Sequence, residues 1–429
     1  MSARTSPPQL QRELGVLGAT MMGLGSIVGT GVFVSIGMAA GIAGPAVILA
    51  MAIAAIVATC NGLNSAQLAA NHAVSGGTYE YGYKYLTPSL GFTAGWMFLL
   101  AKTASAATAA LGFASYLLNA TGLYGRGFLI PTALTAVVIF TLIVLGGIRR
   151  SNVTNIAIVS VTLLSLTFFI FACLPSAIAN RAENLTPFFI GSPATVLEAT
   201  ALMFVAYTGY GRIATMGEEA REPRKTIPKA MIVTLVLTML LYIAVAAVGI
   251  AAVGSNVLGN TTQSAPLEAA IRDVGSAGGA VVLSIGAMTA MLGVLLNLIL
   301  GLSRVLLAMG RRRDAPRILA RLNPQGTTPN LAVLVVGIAI ALLVLLGNVK
   351  TTWSFSAFNV LIYYAITNLA AWQLPNNQRL YPKWLAILGL VSCLFLAFWV
   401  DPQIWQIGLG LILAGLIWHK IRQFYLNDS

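Results

Sequence analysis

The chain has 429 residues, of which 58% are hydrophobic and only 9% are charged, and its mean hydropathy is +0.84. Roughly a quarter of the residues of a soluble globular protein are charged. This chain therefore has too few charged residues to cover a surface that faces water. The formal net charge of +13 would suggest nucleic acid as a partner of a soluble protein. The composition instead predicts a membrane protein whose outer surface contacts the lipid bilayer.

Apolar stretches near the length of about 20 residues that crosses a bilayer follow one another along the whole chain. We expect an all-α polytopic protein that forms one membrane domain over residues 1–429, with about twelve membrane-spanning helices. The predicted spans are 14–38, 43–69, 88–119, 127–147, 151–178, 195–217, 228–254, 278–309, 329–348, 351–373, 382–400 and 403–424.

The basic residues are distributed unequally between the two sides of these spans. Twenty of the 25 lysines and arginines fall on the side of the N-terminus, four fall on the opposite side, and Lys102 lies inside a span. The positive-inside rule then places the N-terminus in the cytoplasm, and an even number of spans returns the C-terminus there. The charge is therefore an orientation signal for a plasma (inner) membrane protein, and no nucleic acid is expected as a partner.

Two of the spans contain clusters of glycine near their centres, at 23–33 in the first and 204–211 in the sixth. Glycine inside a helix costs about 1 kcal/mol relative to alanine. Close helix packing would account for one such cluster, but two clusters five spans apart favour an inverted-repeat transporter with broken helices 1 and 6. The repeats would be 14–178 and 195–373, with helices 11 and 12 (382–424) appended.

Five segments in chain order carry a family resemblance: Gly25–Phe33, Gly41–Pro45, Ser75–Tyr81, Glu218–Pro228 and Gly301–Arg304. At these residues the chain resembles the amino acid–polyamine–organocation (APC) superfamily of permeases. The resemblance implies a secondary active transporter of amino acids that works by alternating access, as a proton symporter or an amino acid exchanger. A polyamine or cationic amino acid antiporter, an exporter, and a non-transporting amino acid sensor are the alternatives.

An enzyme is not expected, because the sequence offers no nucleophile–base pair or paired intramembrane carboxylates. No metal site or cofactor is expected either. The three cysteines, Cys60, Cys173 and Cys393, all lie in apolar stretches and are interpreted as small buried hydrophobic residues.

The broken helices would bind the two charged ends of an amino acid. Backbone N–H groups at 29–31, with the hydroxyls of Ser26 and Thr30, suit the carboxylate, and carbonyls near Ile27 and in 203–206 suit the ammonium. Either hydroxyl could instead bond to its own helix. The predicted substrate-binding residues are Ser26, Ile27, Gly29, Thr30, Gly31, Ser105, Met203, Phe204, Ala206, Tyr207 and Gly209. The spans carry no acidic residue at mid-membrane, which favours a neutral substrate.

Lys102 lies about 14 residues into the third span, where a lysine is costly and usually functional. Many proton-coupled relatives carry a lysine on helix 5, but the matching position here is Thr162. We predict that Lys102 supplies the switchable charge that couples transport to a proton; a lysine that snorkels toward water is the alternative. Thr162 could be an oxygen ligand for sodium, which is the less favoured coupling ion because 289–297 lacks adjacent hydroxyls.

The gate candidates lie on or beyond the sixth span. Tyr207 could close over the substrate or be a packed core aromatic. Arg212, Glu218 and Glu219 could form an ion-pair network that closes the cavity toward the cytoplasm, or a solvated charged cap.

Overall fold

The computed structural model describes residues 15–72, 74, 76–123, 126–147, 152–214, 220–260, 265–324 and 327–427. These residues are almost entirely helical and include no β-strand. The α-helices are α1 Val16–Ile27, α2 Ile36–Ala43, α3 Val47–Asn71, α4 Thr78–Tyr85, α5 Pro88–Thr121, α6 Arg126–Leu145, α7 Asn152–Asn184, α8 Pro193–Tyr207, α9 Gly211–Ala214, α10 Pro223–Leu258, α11 Pro266–Asp273, α12 Ala277–Arg311, α13 Asn330–Val344, α14 Val349–Trp372, α15 Lys383–Ala397 and α16 Pro402–Asn427.

The helices confirm the predicted class, an all-α polytopic membrane protein of about 12 helices. In the described part of the chain, eight helical stretches are long and apolar enough to cross a membrane, and α13 and α15 are shorter apolar helices. One of the eight, Val16–Asn71, covers the first two predicted spans. The first predicted span corresponds to α1 and α2 together, and the sixth to α8 and α9.

Two short helices lie outside the predicted spans. Both α4 and α11 have only eight residues, which is too short to cross a bilayer. Each carries an acidic residue in its first turn and a basic one in its last, Glu80 with Lys84 and Glu268 with Arg272. This arrangement complements the helix dipole and lets a short polar helix form beside the bundle.

The centre of the bundle is formed by α5 and α14, which pack against each other. In the most apolar part of α14, 83% of the residues are buried, whereas in that of α16 only 22% are buried. Apolar side chains that a soluble protein would hide are exposed on the outer helices, where lipid replaces water as the solvent. The division into two repeats stays a prediction.

Both glycine-rich spans are interrupted where the sequence predicts it. Helix α1 ends at Ile27, the next residue Val28 has an extended backbone (ψ 103°), and a π-helical turn follows at Gly31–Ser35. Helix α8 ends at Tyr207 and gives way to the 3₁₀ turn Thr208–Tyr210 before α9. We call residues 28–30 the first break and Thr208–Tyr210 the second break.

Candidate functional site

The two interrupted helices lie directly against each other beside the breaks. A Cβ atom added to Gly31 would lie 2.6 Å from the Cβ of Ala206. One added to Gly209 would collide with the carbonyl of Ser26. Glycine at both positions lets two backbones approach more closely than any side chain would allow. The interrupted helices therefore form one structural unit.

A cavity of about 50 Å³ lies at this crossing. A water molecule needs about 10–15 Å³ of such space, so the cavity has room for a few waters. Helices α1, α5, α8, α12 and α14 all contribute to its wall. The lining residues are Ser26, Ile27, Thr30, Gly31, Lys102, Ser105, Val205, Ala206, Thr208, Gly209, Val294, Leu298 and Trp353.

The two predicted hydroxyls at the first break differ in what they contact. Ser26 Oγ donates to the carbonyl of Met22 at 3.0 Å, one turn earlier on its own helix. Thr30 Oγ1 is buried and has no hydrogen-bond partner among the described residues. A buried hydroxyl without a partner costs about 1–3 kcal/mol. Thr30 is therefore the hydroxyl best placed to bind a polar ligand in the cavity.

Backbone donors accompany Thr30. The N–H groups of Val32 and Phe33 both donate to the carbonyl of Gly29 at 3.1 Å, so the helix that continues to α2 begins there. The first N–H groups of a helix have no partner within it. They supply partial positive charge beside the cavity, which suits a carboxylate.

The carbonyls expected to receive an ammonium already accept hydrogen bonds. Tyr242 donates its hydroxyl to Ile27 O at 2.8 Å. Trp353 Nε1 donates at 3.0 Å to Leu202 O, one residue before the predicted segment 203–206. Thr208 Oγ1 donates to Val205 O at 2.8 Å. A carbonyl has two lone pairs. Val205 O uses both, because the backbone N–H of Thr208 also donates to it, whereas Ile27 O can accept a second donor beside Tyr242.

Lys102 reaches into the cavity from α5. Its side chain is buried, and Nζ donates to Thr208 Oγ1 of the second break at 3.2 Å. Nζ also lies 6.0 Å from the ring centroid of Tyr363, which is the outer limit of a cation–π contact. The amine contacts the broken helix, and this geometry favours a role in the cavity over snorkelling.

Some predicted residues of α8 lie behind the cavity wall. Phe204 packs edge-on against Tyr364 (centroids 5.9 Å apart) and Tyr207 against Tyr242 (5.3 Å). Met203 is fully buried, and its sulfur accepts a hydrogen bond of 3.7 Å from Ser35. None of these three predicted wall residues lines the cavity, whereas Ala206 does. Tyr207 occupies the position of a packed aromatic.

The remaining candidates lie further away. A Cβ atom added to Gly29 would lie 2.6 Å from Val294, so this glycine faces α12. Thr162 is buried in α7, where its hydroxyl donates to Ile158 O at 2.8 Å. Arg212 is half-buried on α9. Glu218 and Glu219 lie outside the described residues, so their role as gates stays a prediction.

Five cavity residues were not among the predicted ones: Val205, Thr208, Val294, Leu298 and Trp353. Thr208 lies within the glycine-rich segment of the sixth span. Its position in the sequence could therefore have predicted that it lies at the cavity. Trp353 has no signal in the sequence, because it reaches the cavity only through the packing of α14 against α5 and α8.

A second group of polar residues, the Asp314 cluster, joins three distant segments: Tyr79 and Tyr83 of α4, Arg312 and Asp314 after α12, and His419 of α16. Both tyrosine hydroxyls donate to Asp314 Oδ2 at 2.6 Å. His419 Nδ1 lies 3.3 Å from Asp314 Oδ1. Burial, reinforced by Asp314, raises the pKa of both tyrosines, so both remain donors at neutral pH.

We predict that the Asp314 cluster stabilises the folded protein. Asp314→Ala leaves the buried hydroxyl of Tyr79 and the half-buried hydroxyl of Tyr83 without this acceptor. An unpaired buried donor costs about 1–3 kcal/mol, so we expect a clearly lower melting temperature of the purified protein. Asp273→Ala, at an exposed position at the end of α11, is the matched control and should melt like the wild type. Equal melting temperatures for the two variants would contradict a stabilising role of the cluster.

Comparison with known proteins agrees with this architecture. The amino acid permease family matches residues 18–417. An uncharacterized transporter of Mycobacterium tuberculosis is 38% identical over 426 residues, covering 99% of this chain and 94% of the relative. The branched-chain amino acid permease of Bacillus subtilis is 29% identical, covering 97% and 93%. The methylthioribose transporter of the same organism is 28% identical, covering 77% and 74%. The chain thus belongs to the amino acid permease family, and its cavity lies at the meeting of the two interrupted helices.

Proposed function

We propose that this protein transports a neutral amino acid across the plasma membrane by alternating access, with Lys102 as the group that couples transport to a proton. The observation that carries the proposal is the cavity between the two breaks. It contains the unpartnered hydroxyl of Thr30 and the buried amine of Lys102. These groups can bind a small polar molecule and change charge at the same place.

The neutral substrate class is supported by the charges around the cavity. Among the described residues that line it, none is acidic, and Lys102 is the basic one. A cationic side chain or a polyamine would enter without a counter-charge, which is costly in a buried site. The similarity to a branched-chain amino acid permease points the same way.

A proton is favoured over sodium as the coupling ion. Thr162, the candidate sodium ligand, lies in α7 and does not line the cavity. Lys102 can take up and release a proton without any further ligand.

The orientation in the membrane is supported by the distribution of charge. The excess of basic residues on the side of both termini supports a cytoplasmic position for the two termini.

Uptake into proteoliposomes tests the proposal. We expect wild-type protein to accumulate a labelled neutral amino acid, from a panel that also includes lysine, arginine and spermidine, when an inward proton gradient is imposed. Accumulation should collapse with a protonophore and should not depend on sodium. The control is vesicles without protein.

Other outcomes would select other functions. Flux that requires unlabelled amino acid inside the vesicles would make the protein an exchanger. Binding of an amino acid without any flux would make it a sensor, and preferred uptake of spermidine or arginine would contradict the neutral substrate class.

A further inference from the structure

Among the described residues, Lys102 has no charged partner in the cavity. A protonated lysine has three N–H donors and no acceptor. Among the described residues, the hydrogen-bond acceptor recorded for Nζ is the neutral hydroxyl of Thr208, at 3.2 Å. A buried ammonium without a counter-ion is expensive, because its hydration is lost and nothing replaces it. The described residues of the cavity therefore offer no counter-ion to the protonated amine.

The neighbouring titratable groups do not supply a negative charge. Tyr363 of α14 faces the amine, with its ring centroid 6.0 Å from Nζ. Tyr364 donates its hydroxyl to the carbonyl of Thr208 at 3.2 Å, and Tyr210 packs beside it. These phenols are neutral near pH 7, and α12 contributes the apolar side chains Val294 and Leu298 to the wall. Among the described residues, none that lines the cavity supplies an anion beside Lys102.

We propose that the carboxylate of the substrate is the counter-ion of Lys102, so that the substrate and one proton enter the cavity together. This inference rests on the proposed amino acid transport and adds a chemical requirement to it. The zwitterion enters with its carboxylate, one proton moves from water to the Lys102 amine, and no covalent bond forms or breaks. The complex gains one proton for each substrate bound.

Thr30 supports this placement. Its unpartnered hydroxyl lines the same cavity from the first break, where backbone N–H groups also begin a helix. A carboxylate has two oxygens and about four acceptor sites. It can therefore accept from the Thr30 hydroxyl and from the Lys102 ammonium at once. An amine without a carboxylate would satisfy neither donor.

The test measures binding and proton uptake together. Purified wild-type protein is titrated calorimetrically with L-leucine and L-alanine at pH 8, in two buffers of different ionisation enthalpy, which yields the number of protons taken up. The analogues 3-methylbutylamine and ethylamine lack the carboxylate. We expect about one proton taken up per amino acid bound, and at least about 30-fold weaker binding of the amines, as is typical when one member of a buried charge pair is removed.

Two variants separate charge from structure. Lys102→Met should weaken amino acid binding by at least about 30-fold and abolish proton uptake. Lys102→Arg keeps a permanent positive charge, so binding should return to a large extent while proton uptake stays absent. A merely structural lysine would not produce this pattern.

The possible failures are distinguishable. If the wild type binds leucine or alanine but Lys102→Met binds it equally well, or if the amines bind as tightly as the amino acids, the role of the carboxylate is wrong and the proposed transport stands. If the wild type binds no amino acid at all, the proposed function fails and this inference fails with it.

Discussion

Replacing Lys102 with glutamine should abolish the accumulation of a neutral amino acid driven by an inward proton gradient. For one proton per substrate, a gradient of one pH unit supports about a tenfold accumulation when the membrane potential is held at zero. Glutamine keeps a polar side chain near Thr208 but cannot bind a proton near neutral pH. The internal concentration of substrate in the variant should therefore rise only to the external one.

The measurement is the steady-state ratio of labelled amino acid inside and outside proteoliposomes, with potassium and valinomycin clamping the potential. Lys229→Gln, at an exposed position on α10, removes a lysine outside the cavity and should behave like the wild type. Counterflow at high substrate concentration checks that Lys102→Gln is folded. A tenfold ratio retained in Lys102→Gln would exclude this lysine as the coupling group.

The helical architecture was predictable because the bilayer imposes a simple length requirement. About 20 apolar residues are needed for each crossing, and each of the twelve predicted spans corresponds to one or two helices in the structure. Glycine clusters marked both breaks because glycine weakens a helix and permits close backbone contact. These signals are local and need no knowledge of the neighbours.

Short polar elements were not predictable in the same way. The helices α4 and α11 have eight residues each and no apolar run. The cluster around Asp314 unites residues more than 230 positions apart, such as Tyr79 and Asp314. Nothing in the local sequence links these segments, so the pairing depends on how the bundle packs.

The site was predictable in part for a similar reason. The composition of the breaks indicated Ser26, Thr30 and Gly31, and the unusual intramembrane charge indicated Lys102; all four line the cavity. Which residues of α8 face the cavity depends on the angular position of each residue around the helix axis. Phe204 lies on the side of α8 that packs against Tyr364, so it faces the core instead of the cavity.

Gly209→Ala should be the most damaging single-methyl substitution at the site. The added Cβ would collide with the carbonyl carbon and oxygen of Ser26, and these are backbone atoms that cannot rotate away as a side chain would. Overpacking of this kind typically costs about 1–3 kcal/mol. Because the contact joins the second break to the end of α1, relief of the collision must move one interrupted helix away from the other and deform the cavity.

We therefore expect the initial rate of uptake in Gly209→Ala to fall by at least about tenfold, since a rigid shift at the site misplaces the binding groups. Gly301→Ala is the matched control, because a Cβ atom at this position in α12 meets nothing within 4 Å and alanine favours the helix by about 1 kcal/mol. Wild-type uptake in Gly209→Ala would mean that the two breaks can separate without loss of transport. A loss confined to Gly209→Ala would make their close backbone contact a requirement of the transport cycle.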